Sequence, residues 1–125
     1  MKRVLVIEDD RFNRLLYRDL LEGEGWAVTV APDGASGLAA VRAAAPDLML
    51  VDIQLPDMSG LDLVRAIKTA HETAGIPILV VSAHALAKHR QQAAHAGADE
   101  FIQKPFEFPV FIETVRRHLE SGGDS

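Results

Sequence analysis

Four short apolar runs of the sequence are each followed directly by polar side chains that can do chemistry. In chain order these are Glu8 and Asp9, then Asp52, then Ser82, then Lys104. Carboxylates at short range repel one another unless a cation lies among them. Oxygen ligands without Cys or His suit a hard divalent ion, above all Mg²⁺, with Mn²⁺ as the expected substitute. With an amine and a hydroxyl to bind a phosphate, the set predicts a phosphoryl-transfer site in which one carboxylate is the acceptor.

Asp52 is the predicted acceptor, because it stands alone at its strand end between the acidic pair and the Ser82/Lys104 pair. A carboxylate is a poor nucleophile towards an anionic phosphoryl group, and a metal ion and an amine lower that barrier by neutralising charge. An isolated Asp at a strand end is otherwise a turn former or a helix cap. We predict that simpler role for Asp10, as the N-cap of the first helix, and for Asp57, as a turn residue.

The elements that must bring these residues together alternate between strand and helix. Apolar runs predict five strands, at 3–7, 26–30, 48–51, 77–81 and 100–103. Helical patterns predict five helices, at 11–24, 35–45, 59–71, 86–96 and 109–119. Continuous apolar strands predict a parallel sheet covered on both faces, an α/β doubly wound fold whose ligands bind at the carboxyl edge. On the first helix we expect four leucines to face inward, Leu15, Leu16, Leu20 and Leu21.

The motifs together resemble the receiver domain of two-component response regulators. The matching segments follow the predicted strands in order and are Glu8-Asp9, 51–60 (VDIQLPDMSG), Ser82-Ala83, 96–99 (AGAD) and 104–106 (KPF). The resemblance covers about residues 2 to 120, and the motifs are specific only as an ordered set. It implies a doubly wound five-stranded sheet in the flavodoxin-like order 2-1-3-4-5, with a receiver domain over 1–120. The small and polar residues that follow predict a short flexible tail over 121–125.

The resemblance implies a role for each residue of the acidic edge. Asp52 takes a phosphoryl group from a phosphohistidine. Asp9 coordinates Mg²⁺ directly, Glu8 acts through water, and the backbone carbonyl of Gln54 is a third protein ligand. The Lys104–Pro105 peptide bond is expected to be cis.

The remaining matched residues are implied to bind and sense the phosphoryl group. Ser82 and Lys104 bind its oxygens, and Ser82 moves towards it. Phe101 occupies the position of the aromatic switch, with permanent packing in the core as the equal alternative. The side chains of Gln54 and His84 are expected to control the access of water and hence the lifetime of the phosphorylated state.

The predicted function is therefore a phosphorylation-controlled signalling switch rather than an enzyme with an external substrate. The phosphodonor is a sensor histidine kinase or a histidine phosphotransfer protein. The output is a contact with a downstream protein effector, with onward phosphotransfer as the alternative. The chain is expected to be a monomer or a phosphorylation-dependent dimer. Three arginines on one face of the first helix favour a solvated stripe over a docking surface, namely Arg11, Arg14 and Arg18.

Composition limits the other classes of function. The net charge of −5, with 18 acidic against 13 basic residues, disfavours direct nucleic-acid binding. No apolar run has membrane-spanning length, so we expect a cytoplasmic protein without a membrane partner. The absence of Cys excludes a disulfide framework, a thiolate zinc site and a Cys nucleophile. No effector domain follows residue 120, which favours a stand-alone protein over a receiver excised from a longer one.

Three rival functions remain. A small Mg²⁺-dependent phosphatase normally has a second Asp two residues after its nucleophile, where this chain has Gln54. A flavin carrier needs a phosphate-cradling loop after the first strand, and Glu8-Asp9-Asp10 would repel a phosphate there. A receiver-like binding module that is never phosphorylated is the main alternative, although such modules normally lack an acidic residue or the Lys.

Overall fold

A computed structural model describes residues 1–83 and 86–122 of the chain. The strands are β1 Arg3–Ile7, β2 Ala27–Ala31, β3 Leu48–Asp52, β4 Ile78–Ser82 and β5 Glu100–Gln103. The helices are α1 Arg11–Glu22, α2 Gly34–Ala43, α3 Gly60–Thr69, α4 Ala87–Ala96 and α5 Phe108–Gly122. Every predicted element is present, and the boundaries differ by no more than three residues.

The five strands form one parallel sheet in the order β2-β1-β3-β4-β5, which confirms the predicted topology. The chain passes from β1 to β2 on one side, and then crosses back past β1 to reach β3 on the other side. The crevice of a doubly wound sheet lies at this reversal, outside the carboxyl ends of the strands. Ile7 of β1 is paired with Val51 of β3, so Glu8 and Asp52 follow at the same level. The register therefore places two of the predicted carboxylates side by side.

The core has two layers, because alternate residues of each strand point to opposite faces of the sheet. One face carries Ile7, Val51 and Val80 and packs against α2, α3 and α4. The other carries Val6 and Val81 and packs against α1 and α5. Both faces are buried, which explains why the strands read as unbroken apolar runs rather than as alternating patterns.

The inward face of α1 differs from the prediction. Its buried residues are Tyr17 and Leu21, with Leu20 half-buried beside them. Leu15 and Leu16 are 46% and 37% exposed, so the prediction was wrong for these two residues. Residues of a helix advance by about 100° each, and the stripe of Tyr17 and Leu21 therefore leaves Leu15 on the opposite side. The leucine-rich sequence concealed that a tyrosine defines the buried stripe.

Candidate functional site

The predicted site residues lie at the carboxyl edge of the sheet. Glu8 and Asp9 follow β1, Asp52 ends β3, Ser82 ends β4, and Lys104 follows β5. The Lys104 amine bridges two of the carboxylates: its Nζ lies 3.1 Å from Glu8 Oε1 and 3.3 Å from Asp52 Oδ2. Three strands that are distant in sequence thus contribute to one charged cluster.

Glu8 is a buried charge, with only 1% of its surface exposed. Its Oε2 accepts the backbone N–H of Asp10 at 3.1 Å. Its Oε1 accepts the side-chain amide of Asn13 at 3.2 Å in addition to the Lys104 amine. A buried carboxylate is tolerated only when it is paired and hydrogen-bonded, and Glu8 meets both conditions.

Three carboxylates form a potential cation site. One ligand oxygen from each of Glu8, Asp9 and Asp52 lies within 4.8 Å of the others. The pKa of Asp9 is raised above its usual value, first by a hydrogen bond with the Glu8 side chain, then by burial and by repulsion from Glu8. Among the described residues, Lys104 is the one basic side chain paired with this cluster. The surplus of negative charge and the all-oxygen donor set fit a hard divalent cation such as Mg²⁺.

The loop after Asp52 is held close to its carboxylate. Asp52 Oδ1 accepts the backbone N–H of Gln54 at 3.0 Å, which leaves Oδ2 to the Lys104 amine. Gln54 also forms an antiparallel bridge with Ser59, which closes the loop before α3. At Gly60 a Cβ atom would lie 2.1 Å from the backbone oxygen of Asp52, so only glycine fits there. The carbonyl of Gln54 as a metal ligand stays a prediction.

Lys104 is held in its charged form. Burial by itself disfavours the charged amine, but interactions with Tyr17, Asp52 and Glu8 outweigh burial and raise the pKa of Lys104 above its ordinary value. The backbone N–H of Lys104 donates to the carbonyl of Ser82 at 2.9 Å and so extends the β4–β5 pairing to the site. The peptide bond to Pro105 is cis, as predicted.

The predicted sensing residues lie on the β4–β5 side of the site. Ser82 is buried at the end of β4. Phe101 is half-buried against the core and the Arg90 guanidinium lies 4.7 Å above its ring. Arg90 also donates to the Gln103 side chain at 3.0 Å, which fixes it over the ring. Phe101 is packed in this conformation, and its movement as a switch stays a prediction. His84 lies outside the described residues.

Two residues of α1 hold the acidic loop and were not predicted to do so. Arg14 donates to the backbone carbonyls of Glu8 and Asp9, at 3.0 and 2.7 Å. The solvated-stripe interpretation is therefore wrong for Arg14, because the loop after β1 has carbonyls that need donors. The Asn13 amide reaches the Glu8 carboxylate of the same loop. A donor four to six residues after an acidic strand end is the sequence signal that would have found them.

The predictions of simpler roles for Asp10 and Asp57 have different outcomes. Asp10 is the N-cap of α1, as predicted, and accepts the backbone N–H of Asn13 at 2.9 Å. Asp57 is more than a turn residue, since its carboxylate accepts the backbone N–H groups of Gly34 and Ala35 at 2.8 and 2.9 Å. These bonds to the start of α2 lower the pKa of Asp57. They tie the loop after the acceptor strand to the neighbouring helix.

An exposed apolar surface flanks the site on the α1 side. It consists of Phe12, Leu15, Leu16 and Phe108, and we call it the α1 apolar surface. Phe12 is 79% exposed. Leu16 and Phe108 line a shallow pocket whose wall also includes Lys104, so this surface reaches the charged cluster. Large exposed apolar side chains grouped beside a polar site are typical of a protein-binding surface.

Known proteins resemble this chain over nearly its full length. The polar-differentiation response regulators DivK of Brucella anthropi and Brucella ovis are each 36% identical to it over 118 residues, which cover 94% of this chain and 96% of the relative. A CheY-like receiver domain protein from Methanospirillum hungatei superposes with a TM-score of 0.93 at 29% identity and covers 99% of this chain and 98% of that chain. Chemotaxis protein CheY4 of Vibrio cholerae superposes with a TM-score of 0.88 at 27% identity, with 94% and 98% covered.

None of the described helices is both long and apolar enough to cross a membrane. The family model of the response regulator receiver domain matches residues 4–116. Receiver domains are signalling proteins that switch by phosphorylation and interact with histidine kinases and downstream effectors. The family match, the order of the strands and the acidic cluster at the edge of the sheet agree with one another. The chain belongs to the response regulator receiver domain family.

Proposed function

We propose that this chain is a phosphorylation-controlled switch that accepts a phosphoryl group on Asp52 from a phosphohistidine of a partner protein. The observation that carries the proposal is the Lys104 amine, which lies between Glu8 and Asp52 with the Asp9 carboxylate alongside. This arrangement combines an acceptor oxygen, a fixed positive charge and a place for a cation, which are the requirements of phosphoryl transfer to a carboxylate.

In the proposed reaction an Asp52 oxygen forms a bond to phosphorus while the bond between phosphorus and the imidazole nitrogen breaks. The imidazole nitrogen keeps the electron pair of the broken bond. The other ring nitrogen of the phosphohistidine carries a proton, so the donor histidine leaves as a neutral imidazole. Lys104 stays charged and neutralises the phosphoryl oxygens as they approach. Ser82 binds another of these oxygens.

Glu8, Asp9 and Asp52, with the backbone carbonyl of Gln54, would hold Mg²⁺, with Mn²⁺ as a substitute. When bound, the ion supplies positive charge that offsets the repulsion between the phosphoryl group and the carboxylates. The fit is supported by the shared position of the three carboxylates and by the raised pKa of Asp9, which marks an acidic group crowded by its neighbours.

The phosphodonor in this proposal is a sensor histidine kinase or a histidine phosphotransfer protein that docks on the α1 apolar surface. That surface adjoins Lys104, so a partner bound there can present its phosphohistidine to Asp52. The output is a downstream protein effector that reads the β4–β5 side through Ser82 and Phe101, and Gln54 and His84 tune the lifetime. A cytoplasmic location completes the proposal.

The test is intact-mass measurement after incubation with Mg²⁺ and a small phosphodonor, and separately with a promiscuous histidine kinase. Wild type, Asp52→Asn and the control Asp62→Asn run side by side, because Asp62 is an exposed carboxylate of α3 that pairs with Arg65 and not with Lys104. We expect a phosphoryl adduct on wild type and on the control that disappears in Asp52→Asn and requires the cation. No adduct on wild type despite Mg²⁺ binding would favour the unphosphorylated binding module. An adduct that persists in Asp52→Asn would mean that Asp52 is not the acceptor.

A further inference from the structure

Asn13 lies in the first turn of α1 with its side chain directed at the metal-site loop. Its Nδ2 is 3.2 Å from Glu8 Oε1. A carboxylate accepts hydrogen bonds and donates none, so the amide nitrogen must be the atom that faces it. The side chain is not needed to cap the helix, because the backbone N–H of Asn13 is already bonded to Asp10 Oδ2.

Glu8 depends on few donors. The described residues provide three: the Lys104 amine, the Asp10 backbone N–H and the Asn13 amide. Lys104 is shared with Asp52. In the proposed reaction it also binds the phosphoryl oxygens. Asp10 and Asn13 then remain to hold a carboxylate that is 1% exposed. Leaving a buried charged group short of partners is costly, so the amide matters most when the site is in use.

A glutamate also needs more restraint than an aspartate at this position. Its extra methylene adds a rotatable bond, and each additional freely rotating side chain that must be ordered weakens binding. Arg14 fixes the backbone of the loop at the carbonyls of Glu8 and Asp9, but it does not touch the Glu8 carboxylate. Asn13 and Lys104 are the described side chains whose amide and ammonium groups donate to that carboxylate and so fix the direction in which it points.

We propose that Asn13 is a positioning residue for the divalent-cation site: it holds the Glu8 carboxylate in place by a hydrogen bond, facing Asp9 and Asp52. The proposal rests on the proposed function, since it assigns a role at the same site. Loss of a partner that orients a metal ligand typically costs about 10- to 100-fold in metal affinity. Because Glu8 keeps the Asp10 bond, we expect about tenfold for Asn13.

A double-mutant cycle between Asn13 and Glu8 tests the proposal. Asn13→Leu keeps the branched side-chain shape with the same number of heavy atoms and removes the donor. Glu8→Asp shortens the carboxylate arm so that it no longer reaches Asn13. The Mg²⁺ dissociation constant of the four proteins is measured by calorimetric titration, and the Asp10 backbone amide shift in cation-free buffer reports separately whether the Glu8 carboxylate has moved. Asn13→Gln, which retains the amide, serves as the rescue variant.

We expect Asn13→Leu to weaken Mg²⁺ binding about tenfold when Glu8 is present. In the Glu8→Asp background we expect a change of no more than about twofold, which is the usual deviation from additivity for substitutions that do not interact. We also expect a shifted Asp10 amide signal in Asn13→Leu and partial recovery in Asn13→Gln. An equal loss in both backgrounds, or unchanged affinity in Asn13→Leu while wild type binds Mg²⁺ and is phosphorylated, would overturn the role of Asn13 alone. A wild type that binds no Mg²⁺ would overturn the proposed function together with it.

Discussion

Removing the amine of Lys104 tests how the acidic edge is stabilised. Methionine at this position keeps most of the side-chain stem and carries no charge. The substitution takes away the cation that lies 3.1 Å from Glu8 and 3.3 Å from Asp52. Glu8 is 1% exposed and would keep only the Asp10 and Asn13 bonds. Lys104→Met therefore leaves a buried charge without its counter-ion and should destabilise the fold.

The size of the loss follows from the burial of the pair. At an effective dielectric constant of ~20, two charges this close attract by about 5 kcal/mol, and desolvation offsets much of that. Removing one partner of a buried pair costs ~3–5 kcal/mol. The Lys104 side chain is 21% exposed, which places this case at the lower end. We expect about 3 kcal/mol in cation-free buffer, or a fall of about 2 M in the urea midpoint.

The loss is measured by urea unfolding in the presence of a chelator, with Trp26 as the only tryptophan of the chain. Lys88→Met is the control, since Lys88 is exposed on α4 and its change should stay within about 0.5 kcal/mol. Adding Glu8→Gln to Lys104→Met should recover most of the loss, because the stranded charge is then gone. A loss below about 1 kcal/mol, or no recovery in the double variant, would refute the reasoning.

The pH dependence of this loss has a definite sign. The pKa of Lys104 is raised on folding above its ordinary value of 10.5. A base whose pKa is raised contributes stability that is fully present below the unfolded value and disappears only as the pH rises through the folded value. Wild type and Lys104→Met differ in their free energy of unfolding, and the contribution of the Lys104 amine to that difference should therefore be constant near neutral pH.

The remaining predictions concern three other positions. The pKa of Asp9 is raised on folding, so its carboxylate destabilises the cation-free protein above that pKa and the effect fades as the pH falls. Asp9→Asn should therefore raise the melting temperature near neutral pH. The gain in the free energy of unfolding should stay below about 1 kcal/mol, because the group is exposed. A variant that is no more stable than wild type would contradict this. Gly60→Ala should lower the free energy of unfolding, measured in urea, by about 2–3 kcal/mol, because its Cβ would lie 2.1 Å from the backbone oxygen of Asp52. A urea midpoint equal to that of wild type would mean that the loop can move aside without cost. Arg90→Ala should cost about 0.5–1 kcal/mol and shift the NMR signals of the Phe101 ring, whereas unchanged ring signals would argue against the cation–π contact.

The sequence was sufficient for the fold and for the composition of the charged edge. Unbroken apolar runs predict strands buried on both faces, and alternation with helices predicts a parallel sheet. In such a sheet all strands end at one edge, so Glu8, Asp52 and Lys104 could be brought together without knowledge of any distance. The resemblance to receiver domains then supplied the strand order, which the sheet confirms.

The contacts that orient the site could not be predicted in the same way, because they depend on the rotation of helices and on side-chain direction. The position of Tyr17 turns Leu15 and Leu16 outward, and the leucines alone suggested the opposite. Asp57 reaches the start of α2 across 22 to 23 residues of sequence. Arg90 finds Phe101 from a neighbouring helix. No periodicity in the sequence encodes such pairs.

Lys104 connects the stability of the fold with the proposed chemistry. The same amine that compensates Glu8 and Asp52 in this conformation is the group proposed to bind the phosphoryl oxygens. Its movement towards a phosphoryl group would take a partner from Glu8, so a cation at the acidic edge and the Asn13 amide have to make up the difference. Within the described part of the chain, three carboxylates share one paired basic side chain, so their negative charge is only partly compensated and the cluster attracts added positive charge. In the proposed function, that imbalance is the reason why a single phosphoryl group on Asp52 biases the conformation of the domain.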